Sequence, residues 1–489
     1  MRGAVGLRAG PDTWRERIPL EAAVGQGGLL VLLVATAAFV ALPALTRPAL
    51  TVAMVITFGV LAVMRPHPAL LGLLVWLLAL GSLRRIATGV SPAGETDLLL
   101  LVGPIALTSV LVTTRPLRAH LAPTPLSRAV LVLSALVFVS AFNPAQGSLV
   151  GGVAGLLFTF VPTLAFWIGR SLSDVVWRRL LQLVMGGGIV ASGYGLFQQF
   201  VGFPSWDLRW IEEDGYLSLN IGKDITRAFA MFSSSQEYAA VLTVALVLVG
   251  IFFARRLPLF LAGGGFLAVT LLLAAARTPV VMVLATAGLL AATRLRLPLP
   301  LVVAVGFASF VLVFVGAGYL ARSAAPSGAA APFVDRQLEG LANPLDAEKS
   351  TASEHYGYFA RGISSAFTNP VGKGLGVISV AGSKFDGTTQ LTEYDASNMA
   401  VAVGLPGLVA YLAVAFLGLR QVFRLARARP DHVRLAALGV IVVLFNQWLN
   451  GGLYAISLLP WLALGWADAQ PEPGGEVESG ARSFEVVQA

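Results

Sequence analysis

Two arginines stand where a fixed positive charge is costly. Arg277 lies in Ala-Ala-Ala-Arg-Thr-Pro, at the end of one apolar run and just before a proline opens the next. A permanent charge near or within a bilayer costs on the order of 3 kcal/mol on insertion scales, so such a residue is a functional candidate by default. Guanidinium presents a planar fork of donors that suits phosphate oxygens. Arg227, in Thr-Arg-Ala-Phe-Ala-Met-Phe, precedes another apolar run in the same way. A plainer role is open to both: a snorkelling side chain held by lipid headgroups or helix carbonyls. A second set, His355, Arg361, Lys373, Glu393 and Asp395, falls in one long polar segment. A neutral histidine, or a carboxylate with a raised pKa, can take the proton of an attacking hydroxyl. The plainer alternatives are a solvated surface histidine at 355 and a helix cap by Asp395 or Ser397 ahead of Asn398. For Glu237 the plain reading is a favourable first-turn charge. His355, Phe359 and Phe367 are expected near one helix face, with Arg361 turned partly away.

Other chemistries find no support. No glycine loop ends in Lys-Ser/Thr and no dinucleotide fingerprint follows a strand, which disfavours an ATP-driven pump or a nucleotide-sugar enzyme. The four histidines (His67, His120, His355, His432) are scattered and there is no cysteine. Neither a metal site nor a disulfide or thiol nucleophile is therefore expected. Ser-His-Asp hydrolysis lacks its nucleophile elbow. The net charge of +8 comes from 34 basic and 26 acidic residues, the basic ones mostly in short connections between apolar runs. The positive-inside rule accounts for that placement, and without a basic helix interleaved with aromatics nucleic acid is not an expected partner. No cofactor is expected.

These residues must be positioned by membrane helices. The 489 residues are 56% apolar and 12% charged, with a mean hydropathy of +0.78. An average soluble chain is roughly a quarter charged. Fourteen apolar runs are read between 27–46 and 451–467, of which two are short enough to be re-entrant or fused. The expected fold is an all-α polytopic membrane protein of about 12–14 transmembrane helices, with one large outer loop carrying short helices. The division is a cytoplasmic N-terminus at 1–26, a first bundle at 27–201, an outer loop at 202–235, further spans at 236–320, a large outer loop at 321–397, final spans at 398–467 and a disordered cytoplasmic tail at 468–489. With both termini inside, 21 of the 34 basic residues are cytoplasmic. Arg47, Arg84, Arg85 and Arg277 are then assigned to short outer loops. Within 321–397, residues 322–332 read as a flexible lead-in, 353–368 as an amphipathic helix, and Asn369-Pro370 with Gly372, Gly374 and Gly376 as a turn. The glycines at 186–188, 193, 195 and 263–265 are expected to let helices approach closely.

The order and spacing of these pieces resemble the O-antigen ligase and Wzy-type polysaccharide polymerase superfamily. Arg227-Ala-Phe-Ala-Met-Phe is similar to that family's Arg-x-x-Gly-x-Phe approach to a helix, and Ala276-Arg277-Thr278-Pro279 to its Ser-Arg-Gly junction. The helix from His355, with Asn369-Pro370-Val371-Gly372-Lys373-Gly374-Leu375-Gly376, resembles its loop helix and Pro-Leu-x-Gly-x-Gly turn. Asp395-Ala396-Ser397-Asn398 and Gly404-Leu405-Pro406-Gly407-Leu408 resemble its His-Asn…Glu-x-Gly-hydrophobic-Gly ending. The likeness covers about 225–412. It departs at Ser397, where ligases carry histidine, and at His355, where the loop helix often begins with arginine. The ligase-type histidine role is therefore not carried over, and a polymerase is favoured.

The resemblance implies transfer of glycan from an undecaprenyl-diphosphate-linked oligosaccharide to an acceptor glycan at the outer face of the bacterial plasma membrane, without metal or nucleotide. Arg227 and Arg277 would hold the diphosphate, and Arg361 and Lys373 would add charge. Asp395 or His355, with Glu393, would supply the base. Membrane lipids are the remaining partners. Two alternatives stay open: a ligase acting on lipid A-core or another acceptor, and a flippase with the arginines in an alternating-access cavity. Paired repeats with broken helices, common in transporters, are not seen in the sequence.

Overall fold

The computed structural model describes residues 46–88, 97–115, 121–214, 220–221, 225–323, 330–343, 346, 352–378, 390, 392–450 and 453–471. The expected span at 27–46 falls almost wholly outside these residues, as do His120, Lys223, Lys349, Lys384 and the tail from 472 onward. The helices are α1 (Thr46–Met64), α2 (Pro66–Thr88), α3 (Val102–Thr113), α4 (Pro125–Ser140), α5 (Leu149–Gly155), α6 (Val161–Gly169), α7 (Asp174–Phe200), α8 (Ser205–Asp214), α9 (Ser235–Phe253), α10 (Gly265–Leu273), α11 (Arg277–Arg294), α12 (Leu299–Ser323), α13 (Ala331–Ala342), α14 (Ala352–Thr368), α15 (Asp395–Ala402), α16 (Gly404–Ala428), α17 (His432–Val443) and α18 (Leu458–Asp468). A small antiparallel hairpin, β1 (Asn220–Ile221) with β2 (Ile225–Thr226), precedes Arg227.

Among the described residues, six helical stretches are long and apolar enough to cross a membrane: Arg47–Met64, Pro66–Thr88, Leu149–Gly169, Asp174–Phe200, Ser235–Phe253 and Gly404–Ala428. The chain is a multi-pass membrane protein. Shorter apolar helices, such as Pro125–Ser140 and His432–Val443, pack among them. Burial sorts the layers: 72% of the α9 window is buried against 28% for α1, so α9 is central and α1 peripheral. This follows from the α9 sequence, which after its first turn is apolar or small on every side. Helices in lipid meet where small residues let backbones approach. A Cβ on Gly169 would meet the Leu462 carbonyl at 2.5 Å, and one on Gly465 would collide with the Phe166 carbonyl, so α6 and α18 cross at this glycine pair. Gly187, Gly188 and Gly195 of α7 likewise face Leu78, Ala245 and Tyr238. Gly263–Gly265 do not behave as expected. Gly263 and Gly264 fall in a π-helical turn (Phe260–Gly264), and no other backbone crowds any of the three.

The runs expected at 435–449 and 451–467 are shortened because the chain leaves helix between α17 and α18 while still inside the bundle. Trp448, Leu449, Leu453, Ala455 and Ile456 are buried there, and Asn446 adopts φ +64°. Buried irregular backbone must find hydrogen-bond partners. Two carboxylates provide them: Leu449 N–H donates to Asp395 at 3.0 Å and Ala455 N–H to Glu237 at 2.8 Å.

Three of the four arginines assigned to short outer loops are instead in helices and paired. Arg47, near the start of α1, and Arg84, near the end of α2, share Asp97 at 2.8 and 2.6 Å. Arg85 meets Asp207 of α8 at 2.6 Å, and both side chains are wholly buried.

Candidate functional site

The segment 227–234 is irregular, yet nearly every polar group in it is held. Gln198 accepts from Phe229 N–H and Ala230 N–H at 3.1 and 2.7 Å. Arg85 donates to the carbonyls of Ala230 and Phe232, and Arg84 to Ser233 Oγ at 3.1 Å. Ser82 N–H donates to Met231 O at 2.8 Å. Glu237 accepts from Ser233 N–H at 3.2 Å, so its side chain ties this segment to Ala455 in addition to occupying a first turn. The Arg85 guanidinium also covers the Phe229 ring, 4.7 Å from its centroid. Arg227 therefore projects from a clamped platform built by α2, α7 and α9.

Arg277 begins α11, and α13 lies across it. Gln337 Nε2 donates to the Ala276 carbonyl at 2.9 Å, while Phe333 packs with Leu273 and Ala275. The Arg277 guanidinium rests against Gly340, where a Cβ would collide with it. Arg227, Arg277 and Arg336 of α13 come close enough to act on one another: both neighbours oppose the charge of Arg227, and Arg336 opposes that of Arg277. Burial first, and these two guanidiniums second, push Arg227 down to about 10, still charged at neutral pH. All three are half-buried. Among the described residues none of the three forms an ion pair, in contrast to Arg47, Arg84 and Arg85.

The charge of Arg277 also reaches His355 of α14. His355 Nδ1 pairs with the Glu393 carboxylate. That hydrogen bond raises the imidazole above its ordinary value; burial opposes the shift, the charges of Glu393 and Glu354 reinforce it, and Arg277 works against it. Both side chains keep access to solvent, at 41% and 33%. Phe359 makes an edge contact with Tyr394, ring centroids 5.8 Å apart, which seats α14 beside residue 393. Phe367 does not share this face: it is 70% exposed, because twelve residues of helix rotate about 120° past three full turns.

The other sequence candidates lie elsewhere. Asp395 is two residues from Glu393 but turned inward and wholly buried. It is not a helix cap, since its carboxylate accepts from Leu449 N–H and from Tyr411 Oη at 3.2 Å, and its second oxygen is buried without an acceptor or donor partner. Burial raises it to about 7 against the opposing bonds from Leu449, Tyr411 and Trp448. An enclosed carboxyl that braces unwound backbone is poorly placed to meet an acceptor. Arg361 is exposed and stacks on Tyr358, 5.0 Å from the ring centroid. Lys373 donates to Gln390 at 3.0 Å, in a turn where Gly372 and Gly374 (φ +76° and +96°) dock on the break between α15 and α16.

The structure thus brings together Arg227, Arg277, His355 and Glu393, and leaves Asp395, Arg361 and Lys373 outside that group. It adds Arg336, which sequence reasoning passed over. The available signal was modest: Pro332 at a helix start, followed by Phe333, Gln337 and Leu341 at four-residue spacing, all buried. Among the described residues no three His, Asp or Glu side chains converge as metal ligands. Comparison with known protein-family models finds no match, and comparison with curated proteins finds none at a significant level.

Proposed function

We propose that the chain is a membrane glycosyltransferase of the polysaccharide-polymerase kind, moving glycan from a polyprenyl-diphosphate carrier to a sugar hydroxyl at the outer face of the bacterial plasma membrane. On this reading it has 12–14 spans with both termini cytoplasmic, and 321–397 is the outer loop. One observation carries it: Arg227 and Arg277, from segments fifty residues apart, lie close enough to oppose each other's charge, with no ion pair to either among the described residues, beside a solvent-accessible His355–Glu393 pair. A lipid diphosphate needs fixed positive charge where its headgroup lies, and preorganised cations stabilise charge as it develops.

In the proposed step the acceptor oxygen attacks the anomeric carbon and the carbon–oxygen bond to the diphosphate breaks. The bonding pair stays on the diphosphate, whose added charge Arg227 and Arg277 offset. His355, its Nδ1–H directed at Glu393, takes the acceptor proton on Nε2. Glu393 orients and stabilises the imidazolium.

The test is to incubate purified protein with a prenyl-diphosphate oligosaccharide and resolve the products by length. A ladder supports the polymerase, and a single product on a separate acceptor redirects the reading to a ligase. Lipid relocation without a new bond sinks the enzyme reading in favour of a flippase. Arg277→Ala should lower transfer by about a hundredfold or more.

A further inference from the structure

We propose that Arg336 is a third cation of the Arg227/Arg277 site, delivered by α13, and that it makes the site select a diphosphate over a single phosphate group. This rests on the diphosphate reading above. Arg336 and Gly340 are four residues apart on α13 and so share a face, the face on which the Arg277 guanidinium rests. The neighbouring Gln337 fixes that orientation through the Ala276 carbonyl, and Phe333, one turn earlier, anchors the helix on Leu273 and Ala275. Arg336 is therefore held toward the arginine pair by three separate contacts of its own helix.

Charge identifies the ligand class. Three half-buried guanidiniums that repel one another, with no ion pair among the described residues, form an arrangement that a multivalent anion stabilises. Arg227 Nε, buried without an acceptor, adds an unsatisfied donor at the same place. The same chain supplies Asp97 and Asp207 to Arg47, Arg84 and Arg85, whereas among the described residues no acid pairs with this trio. A phospholipid phosphodiester carries one charge on one phosphorus, which the two guanidiniums of Arg227 and Arg277 already exceed. A disubstituted diphosphate carries two charges spread over two phosphorus centres, and a third guanidinium can engage the second of them.

The experiment uses the full chain in phosphatidylcholine nanodiscs, titrated by calorimetry with inorganic pyrophosphate and, separately, with inorganic phosphate. Arg336→Gln should weaken pyrophosphate about tenfold, the scale of one charge-assisted hydrogen bond, and phosphate less than about threefold. Arg336→Lys, which keeps the charge, should recover part of the loss and excludes misfolding as its cause. Undiminished pyrophosphate affinity in Arg336→Gln, or an equal loss for both anions, overturns the proposal. A second arm adds phosphatidylglycerol to the discs. Retained pyrophosphate affinity supports a diphosphate site, whereas affinity that collapses as phosphatidylglycerol rises assigns the three cations to lipid headgroups and overturns it. Pyrophosphate selectivity in a protein that performs no glycosyl transfer leaves this inference standing and removes the proposed reaction. Transfer that is indifferent to Arg336 does the reverse.

Discussion

The guanidinium of Arg277 occupies the space that a side chain on Gly340 would fill. The contact joins the start of α11 to α13, and it explains why α13 carries glycine in the middle of a face that otherwise presents Phe333, Gln337 and Leu341. Glycine inside a helix costs about 1 kcal/mol relative to alanine, so its presence here marks a packing requirement.

Gly340→Ala should therefore separate stability from function. Helix propensity favours alanine, and the displaced group is the flexible end of a side chain, so the melting temperature should hold or rise. Transfer should fall by about tenfold as Arg277 is pushed from its seat. Equal rates for the two proteins in the length-resolved assay would show that the seat is dispensable.

Arg85 and Asp207 form a wholly buried pair. Removing one partner strands the other charge and typically costs about 3–5 kcal/mol. Arg85→Met and Asp207→Leu should each lower thermal stability sharply in detergent, and the double variant should recover much of the loss. Because Arg85 also holds the Ala230 and Phe232 carbonyls, the double variant should remain slow in transfer. Additive losses in the two single variants would contradict this coupling.

The His355 pair sets a pH dependence. Its raised imidazole is protonated below the folded value and cannot accept a proton there, so transfer should rise with pH through a midpoint above 6.5. Glu393→Gln removes the largest cause of the shift and should move that limb toward lower pH. For stability the sign is the opposite: the pair's contribution is complete below the unfolded value and fades as pH rises through the folded one. A pH–rate profile with its acid limb unmoved by Glu393→Gln would remove His355 from the base role.

Burial raises the Asp395 carboxyl well above the ordinary carboxylate range. With a folded value of about 7 against 3.8, the native state binds more protons than the unfolded one between those values. Stability should fall as pH rises from about 4 to about 7, by at most about 4 kcal/mol. Asp395→Asn keeps an oxygen for Leu449 N–H and should flatten that slope. Melting curves of the variant that retain the native slope would assign the pH dependence elsewhere.

The helical membrane character of the chain was legible because it depends on composition and on long apolar runs, which need no tertiary information. The positions of Arg227 and Arg277 stood out for the same reason, since a cation beside an apolar run is visible one residue at a time. Pairing was not legible. Arg84, Arg85 and Arg277 look alike in sequence, and only the fold shows that the first two meet Asp97 and Asp207 while the third rests against Gly340 of α13. Asp395 misled because a carboxylate at a helix start reads as a cap. Its actual partner, Leu449 N–H, lies 54 residues away in backbone that hydropathy alone reads as helix.

A further consequence of the buried Arg85–Asp207 pair concerns assembly. Arg85 is synthesised 122 residues before the acid that neutralises it. A chain made from its N-terminus must carry α2 with Arg85 uncompensated near its end until α8 has been made, at a penalty that favours leaving that end in the interfacial water. Seating of α2 is thus coupled to the later arrival of α8. Deletions that shorten the chain before Asp207 should yield fragments that insert poorly, whatever their hydrophobicity.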